Sequence, residues 1–155
     1  MSRQKLPEEE LNQLVGLLLS LSANQRDFLL DILQVRAEDF FQQLHSSLVS
    51  VDDFYDWPPR LLQQLIRDLS FQDIAWAFLG DKSDLFKLFG ENISGRGRMI
   101  LMEEIQAVKQ QRRRKLESNK VTPEELEQLQ ERKRLLLKLK AQQLLVEAED
   151  VAADN

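Results

Sequence analysis

The apolar residues of this chain recur at helical spacing from end to end, and no segment shows the alternation or the Val, Ile and Thr richness of a strand. That property confines the chain to the all-α class. Start signals then divide the pattern into elements. Pro7 followed by Glu8, Glu9 and Glu10 opens a first helix, because proline is tolerated in a first turn and acids suit the positive helix end. Leu11, Leu14, Val15, Leu18 and Leu19 follow at helical spacing. Ser22 and Gln25 form a capping box ahead of "RDFLLDILQV", and a third helix covers "AEDFFQQLHSSL". The stretch "VSVDDFYDWPP", residues 49–59, is a connection, since Pro58 pushes Trp57 out of helical geometry.

A fourth helix, "RLLQQLIRDL", comes next. Ser70 and Asp73 cap a fifth, "FQDIAWAFL", which stops at Gly80. Asp81 and Asp84 are expected to cap a short sixth, "LFKLFG". Ser94 caps a seventh, carrying Met99, Ile100, Leu101 and Ile105 and running on to about Leu116. Thr122-Pro123-Glu124-Glu125 combines cap, first-position proline and third-position Glu, and opens a long eighth helix to Glu147, with "DVAADN" fraying beyond it. Short helices with short connections predict an armadillo-like right-handed superhelix of short helices ending in a long C-terminal helix, although no exact repeat is present.

Composition removes several classes of function. The chain has 155 residues, 43% hydrophobic and 30% charged, so it can bury a core and remain soluble. It has no cysteine, and therefore no disulfide, no thiol nucleophile and no Cys-based metal site. His45 is the only histidine, and Asp52, Asp53 and Asp56 lack the glycine and distal Glu of a calcium loop. No spacing assembles an acid, a base and a nucleophile. Neither enzymatic activity nor a cofactor or metal is expected. The start, "MSRQKLPEEELNQ", lacks a signal-peptide apolar run, and no stretch approaches the ~20 apolar residues of a membrane span.

The net charge of −5 hides an asymmetry. Residues 1–95 carry 8 basic and 15 acidic side chains, whereas residues 96–140 carry 13 and 7. The runs "KQQRRRK" and "ERKRLLLKLK" offer nucleic acid as one alternative partner, through a basic surface over residues 109–140. The absence of aromatic residues from position 90 onward argues against it, because no base-stacking platform is available. Leu126, Leu129 and Leu136 lie at near-heptad spacing, interrupted by Lys133 and Lys140. This favours a docking stripe over a coiled coil and leaves homo-oligomerisation through the last helix open.

The stretch "GENISGRGRMILMEEIQ" holds three of the five glycines. It is no phosphate loop, because it lacks a preceding strand and a Gly-Lys-Ser/Thr. It reads as a helix N-terminus made at a cost: glycine inside a helix is ~1 kcal/mol worse than alanine, and arginine in a first turn opposes the dipole. Arg96 and Glu103 are seven residues apart and share a face, with Glu104 about 80° further round. The functional reading is a charged face for docking another protein.

The ordered series of motifs resembles the C-terminal domain of the bacterial flagellar motor switch protein FliG. The resemblance rests on "LIRDL", on "AFLG" for an Ala-Leu-Lys-Gly helix end, and on Asn92-Ile93-Ser94-Gly95-Arg96 for an Asn-Met-Ser-x-Arg turn. The acid pair Glu103-Glu104 and the final "TPEELEQLQ" complete it. It covers residues 49–140 well and the first 48 loosely, which implies an N-terminal helical part at 1–48, a FliG-like domain at 49–147 and an acidic tail at 148–155. In that family a charged helix faces the stator protein MotA. Arg96, Glu103, Glu104 and Arg112 fall on the family's charged positions.

The sequence also departs from the family. Leu79 stands where the family has Lys, Gln110-Gln111 replaces a Gly-Pro break, and Gly97 and Arg98 replace two small residues. The family's N-terminal domain and middle-domain motif are not represented. The resemblance implies a non-enzymatic interaction module with rotor or stator partners, at the cytoplasmic face of the flagellar basal body. The alternative of the same build is a cytosolic regulatory domain unrelated to motility, in the style of MgtE-type transporters.

Overall fold

The computed structural model describes residues 5–154, with side chains through Val151. Among them are eight α-helices and no strand, so the all-α class with a long last helix is what the chain adopts. They are α1 (Glu8–Ser20), α2 (Ala23–Arg36), α3 (Glu38–Ser47), α4 (Pro59–Arg67), α5 (Phe71–Phe78), α6 (Asp84–Glu91), α7 (Gly95–Glu117) and α8 (Pro123–Asp154). Two compact units form. One is Tyr55–Leu137, and the other combines the residues up to Phe54 with those from Lys138 on. Helix α8 contributes to both. Asn155 of the predicted tail and the first four residues lie outside the described residues.

The first unit takes its core from one face of each helix. Leu11, Val15 and Leu18 of α1, Leu30 of α2, and Phe41 and Leu44 of α3 are buried together with Leu139, Ala141 and Leu144 of α8. Side chains of one element satisfy backbone ends of another. Leu6 N–H donates to Ser47 Oγ at 2.8 Å, and Val49 N–H donates to Gln142 Oε1 at 3.0 Å. Lys138, only 7% exposed, places its ammonium 2.7 Å from His45 Nδ1 and also donates to the His45 carbonyl. The lone histidine is thus the partner of a buried lysine.

The second unit is built on α5. Ile74, Ala75, Trp76, Ala77 and Phe78 of α5 and Leu79 after it are six consecutive buried residues, so the C-terminal part of α5 is apolar all round and meets protein on every side, while Gln72 of its first turn is exposed. Phe78 sets its ring edge-on to Phe89 of α6, with centroids 5.0 Å apart. Helix α7 covers α5 with Leu101, Ile105 and Val108. A buried helix end leaves carbonyls without intrahelical donors, and each would cost free energy if left bare. Helix α8 supplies the donors. Gln130 Nε2 donates to the carbonyls of Trp76 and Leu79. Arg134 forks onto the Ala77 carbonyl at 3.0 and 2.9 Å and reaches Asp81 Oδ1 at 3.0 Å. Lys133 pairs with Asp73 at 2.8 Å.

The predicted caps at Ser22, Ser70, Ser94 and Thr122 all form, each side-chain oxygen accepting from the N–H three residues on. The sixth helix differs. Its N-cap is Ser83, whose hydroxyl closes the turn onto the Gly80 carbonyl at 2.8 Å, while Asp81 is drawn away to Arg134. Gly80 has φ +99, a region that favours glycine. The 49–59 connection contains a 3-10 helix, Val51–Asp56, that buries Val51 and Phe54. Helix α8 continues to Asp154 rather than ending at Glu147. Leu126 and Leu136, expected to form a docking stripe, are buried against the chain's own core.

Replacing Gln130 or Arg134 with alanine leaves α5 carbonyls unsatisfied, and each variant is expected to lose about 1–3 kcal/mol in urea unfolding. Asp81 gives a smaller, pH-dependent effect. Partial burial opposes its charge, but the Arg134 hydrogen bond and the charges of Arg134 and Lys82 outweigh this and hold the carboxyl below its ordinary value. A depressed folded-state value stabilises above the unfolded value and is lost as pH falls through the folded one. Asp81 is 65% exposed, so solvent screens the pair. Asp81→Asn should therefore cost well under about 1 kcal/mol at neutral pH. Its stability difference from the parent chain should shrink as pH falls below about 4, the ordinary carboxylate value.

Candidate partner-docking face

Helix α7 begins at Gly95, with Ser94 Oγ accepting from Gly97 N–H at 3.0 Å. From there the helix is anchored on one side by Leu101, Ile105 and Val108. Arg96 and Glu103, about 20° apart by helical geometry, are both exposed on the side facing away. Met99 and Ile100 stand between them, 64% and 44% exposed. Glu104 is half-buried at the margin of this face. Arg112 lies about 160° round from Arg96, on the flank of Leu101 and Ile105, and is half-buried. The helix therefore brings Arg96, Glu103 and, at its edge, Glu104 together, and it carries Arg112 away. The cause is the unbroken helix through Gln110-Gln111, which fixes the register that a Gly-Pro break would release.

None of these four charges is held by an ion pair or hydrogen bond to another described residue. Arg98 is different. Its Nε donates to the Gly90 carbonyl at 3.0 Å, so an arginine that opposes the dipole of α7 completes the C-terminal end of α6. Arg96 has no such structural use.

The sequence groups Met99 and Ile100 with Leu101 and Ile105 on α7, and the structure separates the two exposed residues from the two buried ones. The signal was present. Leu101, Ile105 and Val108 keep one stripe at spacings of four and three, whereas Met99 lies about 160° away from Leu101. The exposed face is thus an apolar centre with a basic end and an acidic end, an arrangement like that of a docking interface. A cleft of about 420 Å³ opens on another side of α7, between it and α6, lined by Phe86, Leu101, Met102 and Ile105 with Lys87 and Arg98 at its lips.

The basic surface over 109–140 is partly consumed by the fold. Lys133, Arg134 and Lys138 are bound to Asp73, to Ala77 and Asp81, and to His45. Among the described residues no cluster suited to a metal ion occurs, and no helix is long and apolar enough to cross a membrane.

The family model of the FliG C-terminal domain matches residues 31–137, more than half of the chain. The chain belongs to the FliG C-terminal domain family. The match begins inside α2, so it takes in α3 and the 3-10 helix as well as α4 to the middle of α8. This family is a non-enzymatic, all-α component of the flagellar motor switch. No curated protein and no solved structure matches the chain.

The glycines that flank Arg96 have a measurable consequence. A Cβ at Gly95 would meet nothing within 4 Å. At Gly97 it would lie 3.2 Å from Ser94 Oγ, in the position that Gln25 and Asp73 fill with side chains at their own caps. The fold does not need Gly95, and Gly95→Ala should raise stability by up to about 1 kcal/mol in thermal or urea melts.

Proposed function

We propose that this chain is a protein-interaction module of the bacterial flagellar motor, working at its cytoplasmic face and docking a rotor or stator protein through the exposed face of α7. Arg96 forms the basic end of the docking face, Glu103 and Glu104 the acidic end, and Met99 and Ile100 the apolar centre. Arg112 lies outside it. The observation that carries the reading is the pairing of uncommitted charge with exposed apolar surface on a helix whose other side is pinned to the core. Burying methionine and isoleucine would supply affinity, while charges at the rim would set encounter rate and orientation. The module has no chemistry to perform. Its mechanism is placement of a charge pattern on a rigid helix.

The test is recovery of motor proteins by the tagged chain under mild cross-linking. Arg96→Glu, and separately Glu103→Lys with Glu104→Lys, should each weaken partner binding about tenfold, mainly through slower association, with the thermal midpoint moved by no more than about 2 °C. Unchanged recovery with both reversals would remove the ridge from the account. Recovery of nucleic acid or a transporter, with no motor protein, would leave the family fold with another function.

A further inference from the structure

Arg98 lines the α6–α7 cleft with most of its hydrogen-bonding capacity unspent. Its Nε donates to the Gly90 carbonyl, and no other hydrogen bond or ion pair to a described residue uses the group, so the Nη nitrogens keep their N–H donors. The same bond holds the side chain in place, which lowers the cost of ordering it around a ligand. Gly90 makes room for this. It is buried in the cleft wall, where a Cβ would stand 3.5 Å from Arg98 Cγ, so a larger side chain would compete with the arginine stem for that space. Lys87 also lines the cleft, is exposed, and has no described partner.

The floor is of opposite character. Phe86, Leu101 and Ile105 form it, with the exposed Met102 at its side. A single acid, Glu91, stands among the lining residues, also without a described partner. Size decides what class of ligand this suits. Nine residues line the cleft and its volume is about 420 Å³. A stable protein partner engages about 20–30 residues a side, whereas small-molecule pockets run from about 300 to 1,000 Å³. An apolar floor with a few convergent polar groups at its edge is the make-up of such a pocket.

We infer that the α6–α7 cleft binds a small organic monocarboxylate with an apolar chain. The carboxylate meets Arg98 and Lys87 at the lips, and the chain lies on Phe86, Leu101 and Ile105. A guanidinium presents paired N–H donors in the geometry that a carboxylate accepts, and the lysine adds a second positive charge. An uncharged chain would cover the floor but leave both cations without a counter-ion, and an ammonium would be repelled by them. Glu91 works against a second negative charge on the ligand and so favours a monoanion. Neither Arg96 nor Glu103 lines the cleft, so the site does not depend on what docks at that face.

Methyl NMR of the full-length chain with labelled methionine tests this, because Met102 lines the cleft and Met99 does not. Octanoate, kept below its micelle concentration, should move the Met102 methyl saturably and leave Met99 in place. Shortening the probe to hexanoate and then butanoate should weaken binding about two- to fourfold per methylene. Octylammonium should bind at least roughly tenfold more weakly than octanoate, and suberate, which ends the chain in a second carboxylate, should also bind more weakly. Lys87→Gln should weaken octanoate binding roughly threefold and Glu91→Gln should strengthen it. Both sites are exposed and without a described partner, and circular dichroism confirms folding. A Met102 methyl that does not move, or that follows octylammonium or octan-1-ol as closely as octanoate, overturns the proposal. So do Lys87→Gln and Glu91→Gln variants that both titrate like the parent. Arg96→Glu should bind octanoate like the parent, so failure of the docking face and failure of this site are read separately.

Discussion

The second unit depends on how the C-terminal end of α5 is closed. A helix end buried on every side cannot turn its last carbonyls to water. Gln130 and Arg134 reach across from α8 to the carbonyls of Trp76, Ala77 and Leu79, while Lys133 holds Asp73 in the first turn of α5. The apolar face of α8, with Leu126, Leu135 and Leu136 buried, is set in place by the same contacts. Burial of α5 and placement of α8 are therefore one event. The cooperative consequence is that polar residues on a surface-rich helix carry part of the stability of the core.

That constraint shapes what remains for function. Lys133, Arg134 and Lys138 are committed inside the chain, so the positive balance of the second half overstates the basic surface that a partner can meet. Helix α7, by contrast, is pinned along one stripe by Leu101, Ile105 and Val108 and gives its other sides to solvent. A rigid helix with one anchored stripe can present two distinct surfaces, and the two have different composition. The face of Arg96, Met99, Ile100 and Glu103 is mixed in charge, whereas the α6–α7 cleft is apolar with basic lips.

Local signals made the fold legible. Ser22, Ser70, Ser94 and Thr122 each cap the helix that the sequence assigns them, because an N-cap uses only atoms within four residues. The same rule makes Asp81 a cap, but Asp81 is drawn to Arg134, fifty-three residues away, a partner no local pattern discloses. The 3-10 helix at Val51–Asp56 was hidden because its acids read as a connection, although Val51 and Phe54 are buried. The candidate face was legible as charge: Arg96 and Glu103 sit together as their seven-residue spacing requires. Exposure was not, since Met99 and Ile100 differ from Leu101 and Ile105 only in angle about the helix. Arg112 followed the family's charged positions in the sequence, but an unbroken helix turns it to another side.

The most direct measurement is photo-cross-linking from single positions in the cell that makes the protein, with a photoreactive side chain at position 99 or 103 on α7, or at the control position 16 on α1, in the other unit. The account predicts adducts with a flagellar rotor or stator protein from positions 99 and 103 and none from position 16. Adducts from all three positions alike, or adducts from 99 and 103 with proteins outside the motor only, would contradict it.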